Sequence, residues 1–340
     1  MATSAFGGVD ISQFNFNDKT SRADSVRIAN GILIGLVLVV IGLRLFSRLK
    51  FLKRIFVDDI LITIAAVFTL ALASTSIAAT SSGLGTHVWL LPLPTLFEQV
   101  KSCILYLLIC QVLYACAIGC TKVAIISSYL RLIQGKTFRL IMYMTLFIVV
   151  GLWICGIFVS LFQCDPVDQA WKIDPNRKCI NYVNYLYASS AVNVFTDVVL
   201  CILPIPYLWK LKMPVRQRIV LCLLFVGGAG ACIAGIIRIA YLDTLRVLDV
   251  LFETVPILNL SVIECSLGII CVSIPALRPM VVQIFPNGSR ASQTASTTMN
   301  KPYDSGTIPL SEVSGGFPKT AKLPPINEAN TRPFERLSSV

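Results

Sequence analysis

The 340-residue chain is 55% hydrophobic and 14% charged, and its mean hydropathy of +0.75 lies outside the range of an ordinary soluble domain. Its net charge of +11 does not indicate a nucleic-acid partner, because the Lys and Arg residues fall mainly between apolar runs. Twelve cysteines imply no disulfide framework, since most lie inside those runs, where Cys packs as a small apolar residue. What remains is an all-α, multi-pass membrane protein whose first partner is the lipid bilayer.

Residues 1–25 are polar and contain no apolar signal region, so an extracellular tail is expected and the first span, Ile28 to Phe46, should act as its own insertion signal. Arg44, Arg48, Lys50, Lys53 and Arg54 follow that span, against Lys19, Arg22 and Arg27 before it. The heavier basic side stays inside, which predicts an outside N-terminus. Asp58 and Asp59 open the second span, Ile60 to Ala79, where acidic residues suit the positive end of the helix dipole. The span ends in SSGLGTHVW, with Gly83 and Gly85 as the turn and His87 just beyond. His87 is the chain's single histidine and has no zinc-type spacing around it, so no metal site is expected.

The third span, Phe97 to Ile133, carries Lys122 nine residues before Arg131, about 13 Å along a helix axis. An ammonium at that depth needs a partner or water. The following QGKT lacks the first glycine of a phosphate loop, with Leu130 in its place, and reads as a basic loop. After the fourth span, Leu140 to Phe162, comes a loop containing Cys164 and Cys179. Facing an oxidising space, these two favour a disulfide; Cys103, at the outer part of the third helix, is a competing partner.

The fifth span follows Cys179 and breaks at Pro204 and Pro206, with Lys210, Lys212, Arg216 and Arg218 at its exit. Ser189, Ser190, Asn193, Thr196 and Asp197 recur within it at helical spacing, forming one polar stripe that should face other helices or trapped water. In the sixth span, Ile219 to Leu242, Gly227, Ala231 and Gly235 make a close-packing face. Arg238 lies about 30 Å from Arg218 along the axis and is expected at the outer interface. The seventh span, Val255 to Leu277, holds Glu264 well inside and ends at PALRP. Residues 286–340 are rich in Ser, Thr, Pro, Asn and Gly and should form a disordered cytoplasmic tail. There the Asn287 sequon faces the wrong compartment for glycosylation.

The count is seven transmembrane helices, with residues 26–285 as the membrane domain. Loops assigned inside hold twelve Lys or Arg and loops assigned outside hold five, which predicts an outside N-terminus and a cytoplasmic C-terminus. Measured from Arg131, Lys210 and Arg278, residues Lys122, Asp197 and Glu264 lie about 13, 20 and 21 Å up their helices. Together with Asn193 they are expected to form one buried polar cluster between helices three, five and seven. Such an ion pair can act purely in structure, fixing helix register at nearly neutral energy.

The pieces VDDILITIAA, SSGLGTHVW, LYACAIGCTKVAIISSYLRL, FQCDPVDQAW with KCIN, LPIPYLWKLKMPVRQR and GIICVSIPALRP resemble the fungal heptahelical family of rhodopsin-domain membrane proteins. That family includes the membrane protein of the satratoxin biosynthesis cluster and relatives of a plant-pathogen surface receptor. The resemblance runs from Val26 to Met280. It implies a fungal seven-helix, receptor-like protein, sometimes encoded among secondary-metabolite genes.

A retinal Schiff base needs a lysine amine facing its pocket; the seventh span has none, so retinal binding and other cofactors are not expected. No DRY-type triplet follows the third helix, and coupling to cytoplasmic signalling proteins rests on architecture alone. Two functional readings follow. A receptor of the plasma membrane would bind a lipophilic small molecule in an apolar cavity, with Lys122, Asp197 and Glu264 as the relay. A membrane-embedded cyclase or hydrolase would use Asp197 or Glu264 as catalytic general acid on a lipophilic metabolite.

Overall fold

A computed structural model describes residues 19–53, 56–92, 94–133, 135–171, 178–209, 215–242 and 249–284. Parts of the expected polar N-terminal tail, the basic exit after the fifth span and the C-terminal tail lie outside them. The helices are α1 (Ala23–Ser47), α2 (Val57–Ala79), α3 (Leu96–Leu132), α4 (Lys136–Leu161), α5 (Tyr182–Ile202), α6 (Pro204–Trp209), α7 (Val215–Tyr241) and α8 (Val250–Ile284). A helix satisfies every backbone group within its own segment, which is why long apolar runs adopt it in lipid. Six of the helices are long and apolar enough to cross a membrane, and α7 supplies a shorter apolar stretch, Phe225–Tyr241.

Neighbouring helices pack in the order α1, α2, α3, α4, α5, α7, α8, and α8 closes the ring against α1. Both α3 and α8 also touch elements across the ring, so they form its interior. Burial is highest in α8, with 56% of its apolar stretch buried against 39% in α2, 28% in α3 and 17% in α1 and α4. Large side chains such as Ile32, Val39, Phe147 and Val226 point outward and uncovered, as a lipid-facing surface requires.

Polar side chains fasten α1 to α8. Asn30 donates to the Asn259 side chain, Arg44 to the Val272 carbonyl and Ser47 to the Ala276 carbonyl. Small residues set the other close approaches. Gly227 lies against Cys271 of α8, and Gly235 against Val194 of α5, so the small-residue face of α7 meets two neighbours.

At one end of the bundle, Gly85 holds three segments together. It accepts from the Arg22 amide at 2.8 Å and donates to the Leu251 carbonyl at 3.0 Å. Its φ is +87°, and a Cβ there would stand 2.7 Å from the Ala23 nitrogen; both the conformation and the space exclude a side chain. Beside it His87 is buried, bonded through Nδ1 to Asp249 and stacked between Trp89 and Phe252. At the same end, β1 (Cys164–Asp165) pairs antiparallel with β2 (Lys178–Cys179). Cys164 and Cys179 form the disulfide, and Cys103 is a free buried thiol, which removes the competing pairing.

The opposite end corrects the reading of Asp58 and Asp59 as simple helix caps. Asp59 does accept from the Phe56 amide at 3.1 Å, but it also binds Arg44 at 2.6 Å and Arg48 at 3.0 Å. Asp58 takes Arg44, Arg48 and Arg131. Arg44 is 1% exposed; it is a buried ion-pair residue and not one of the loop charges. The reason is the tight α1–α2 connection, which returns α2 alongside α1 and brings two carboxylates against two arginines spaced one turn apart. A π-helical turn, Arg48–Leu52, ends α1 there.

Candidate functional site

Deep between α3, α5, α7 and α8 lies a network of charged and polar side chains. Lys122 of α3 reaches α5, where its Nζ lies 2.9 Å from an Asp197 carboxylate oxygen. It also donates to the Asn193 carbonyl at 2.8 Å, the Asn193 side-chain oxygen at 2.7 Å and Thr196 Oγ1 at 2.7 Å. Three of these four acceptors follow from the i, i+3, i+4 spacing of Asn193, Thr196 and Asp197, which puts them on one helix face. The Asn193 amide then donates to Glu264 of α8, and Tyr114 Oη donates to the other Glu264 oxygen at 3.0 Å. Asn193 thus connects the Lys122–Asp197 pair to Glu264.

A fourth ionic member is Arg238, which the height of its Cα along α7 assigns to the outer interface. The structure corrects that expectation, since Arg238 is 6% exposed and lies inside the bundle. Helical side chains lean toward the N-terminus, so the long arginine carries its guanidinium back into the membrane. There Nη2 donates to Ser190 at 2.7 Å, Nη1 lies 3.6 Å from Glu264, and the guanidinium sits 4.5 Å from the Tyr114 ring centre. A buried cation thus faces a buried carboxylate, at a longer distance than the 2.9 Å of the Lys122–Asp197 pair. Position along the axis cannot show this, because it carries no information on which way the side chain turns.

The network separates two cavities. The larger, of about 400 Å³, lies toward the disulfide-bearing end, and residues of α3, α4, α5 and α8 line it. Leu107, Leu108, Leu186, Ile257 and Leu258 make its apolar wall, while Lys122, Asn193, Tyr114 and Arg238 are among its polar lining. The smaller, of about 220 Å³, lies toward the opposite end and is bordered by Arg48, Asp58, Arg131, Asp197 and Glu264. Lys122 borders both. A mostly apolar cavity with a few converging polar groups has the make-up of a small-molecule site. Among the described residues, no three His, Cys, Asp or Glu side chains converge as a metal site.

The sequence profile of the fungal rhodopsin domain matches residues 43–283, which takes in both cavities and every charged residue of the network. The chain belongs to the fungal rhodopsin domain family. Within its wider relationships, the polyenoic acids biosynthesis gene cluster protein Ba17b of Metarhizium anisopliae is 28% identical over 262 residues, 73% of this chain and 71% of that protein. Fugralins biosynthesis cluster protein 2 of Gibberella zeae is 26% identical, covering 69% of this chain and 60% of its own length. Receptor GIN3 of Arthrobotrys oligospora is 23% identical over 56% of this chain and 46% of its own length. The matched part therefore spans less than two thirds of the latter two relatives. No solved structure matches this fungal rhodopsin domain protein.

Proposed function

We propose that this fungal rhodopsin domain protein is a receptor-like seven-helix protein of the plasma membrane that binds a lipophilic small molecule connected with a secondary-metabolite gene cluster. The observation that carries this reading is the 400 Å³ cavity, whose floor is the network joining α3, α5, α7 and α8. A ligand touching Lys122, Asn193 and Arg238 touches network groups on three helices at once, with Glu264 of α8 bonded behind them, which is how a local contact can bias a bundle between two packings. The biosynthesis-cluster names of two relatives and the receptor name of a third support the same reading. The distribution of Lys and Arg supports an outside N-terminus and a cytoplasmic tail, and signalling proteins of the cytoplasm would read that tail.

Lys122 is engaged with four oxygens, which weighs against its serving as a retinal Schiff base. Asp197 and Glu264, the general acids of the enzyme alternative, border the smaller cavity and not the larger one, so that reading would place its substrate in the smaller cavity. In the test, the purified full-length protein is mixed with an organic extract of the source organism. A rise in melting temperature is expected for the native sequence and not for Ser189→Phe, whose ring fills the cavity. Equal stabilisation of both proteins refutes the assignment.

A further inference from the structure

The charge around the larger cavity is one-sided. Lys122 and Arg238 line it, and among the described residues no carboxylate does. Their counter-ions, Asp197 and Glu264, instead border the smaller cavity behind the network. A ligand entering the larger cavity therefore meets cations first.

The two cations are not equivalent. Lys122 has three N–H bonds and four close oxygens around them, so its donors are already occupied. Arg238 is held more loosely. Its nearest anion, Glu264, is 3.6 Å away and its Ser261 contact is 3.5 Å, while among the described residues its shortest polar contact is the neutral hydroxyl of Ser190 and its guanidinium lies 4.5 Å from the Tyr114 ring centre. Glu264 directs its own two oxygens at Asn193 and Tyr114. A guanidinium offers five N–H donors in a planar fork that fits a carboxylate. In low dielectric a bound anion interacts strongly with such a fork, and a bound cation is repelled by two like charges.

We propose that the larger cavity selects amphiphiles with an anionic, carboxylate-type head, which seats on Arg238 while the hydrocarbon part lies along the leucine-rich wall of α3, α5 and α8. The proposal rests on the reading of this cavity as a ligand site. It adds the chemical class of the ligand and the residue that recognises it.

Trp153 supplies the readout, because it lines the cavity and packs on Gly119. Full-length protein in phosphatidylcholine nanodiscs is titrated with three probes of one chain length, namely 11-bromoundecanoate, its methyl ester and the 11-bromoundecyl trimethylammonium ion. Bromine quenches tryptophan at contact, and the signal taken is the part absent from Trp153→Phe. Affinities are referred to the concentration of each probe in the lipid phase. The acid should bind at least about tenfold more tightly than the ester, the strength of a charge-assisted pair, and the ammonium most weakly. The charge-balanced variant Arg238→Gln/Glu264→Gln should lose that preference and keep ester binding.

Equal affinity for acid and ester in the native sequence, a preference for the ammonium, or a preference that survives in the double variant would each overturn the proposal while leaving a ligand cavity in place. Failure of all three probes to quench Trp153 would remove both the ligand cavity and the head-group assignment. A last arm replaces part of the phosphatidylcholine with phosphatidylglycerol. Displacement of the acid assigns the anion site to a bilayer lipid, and its persistence assigns the site to a free acid; either result keeps Arg238 as the anchor.

Discussion

Replacing Lys122 with Met tests the polar network at the member that joins α3 to α5. Lys122 and Asp197 have side chains 3% and 11% exposed and lie 2.9 Å apart. With an effective dielectric constant near 20, their attraction is about 6 kcal/mol, which offsets the hydration both charges lose. Asp197 Oδ2 has no hydrogen-bond partner among the described residues, so compensation of that carboxylate comes chiefly from Lys122. Removing the ammonium should therefore cost about 3–5 kcal/mol, the range for breaking one half of a buried pair. For a membrane domain of this size that corresponds to roughly 6–20 °C in melting temperature, read by detergent size-exclusion after heating. Adding Asp197→Asn should restore about 1–3 kcal/mol, since coupled partners are not additive. A Lys122→Met protein as stable as the native sequence, or a double variant as unstable as the sum of the singles, refutes the reasoning.

Replacing Cys164 or Cys179 with Ser should expose one new thiol to a membrane-impermeant maleimide, because the two form a disulfide; unchanged labelling counts against the bridge. Gly85→Ala should destabilise the protein by more than about 1 kcal/mol, since alanine at positive φ is strained and its Cβ would strike Ala23; a melting temperature equal to the native value removes Gly85 from that role. A tag inserted after Phe285 should react with antibody only after permeabilisation, and one before Ser21 without it. The reverse pattern would invert the orientation argued from the basic loops.

The apolar spans and the membrane class were legible in the sequence, because a hydrocarbon solvent demands long apolar helices whatever the tertiary arrangement. Heights along the helices were also legible. The depth of Lys122, Asp197 and Glu264 follows from a constant rise per residue, and the Cys164–Cys179 pair was one of the pairings that composition allowed. Rotation about each helix axis was not legible, because it depends on which neighbours surround the helix. Arg238 illustrates this, since its height agrees with an interfacial residue while its azimuth and backward lean bring it to Glu264. Arg44 and Arg48 are a similar case, reading as topogenic charge until the α1–α2 turn places Asp58 and Asp59 against them. The one-turn spacing of those arginines, facing an Asp-Asp pair across a short connection, was the signal available for that cluster. The cavity left no mark in the sequence at all, for an empty space belongs to the packing of several helices and to no single one of them.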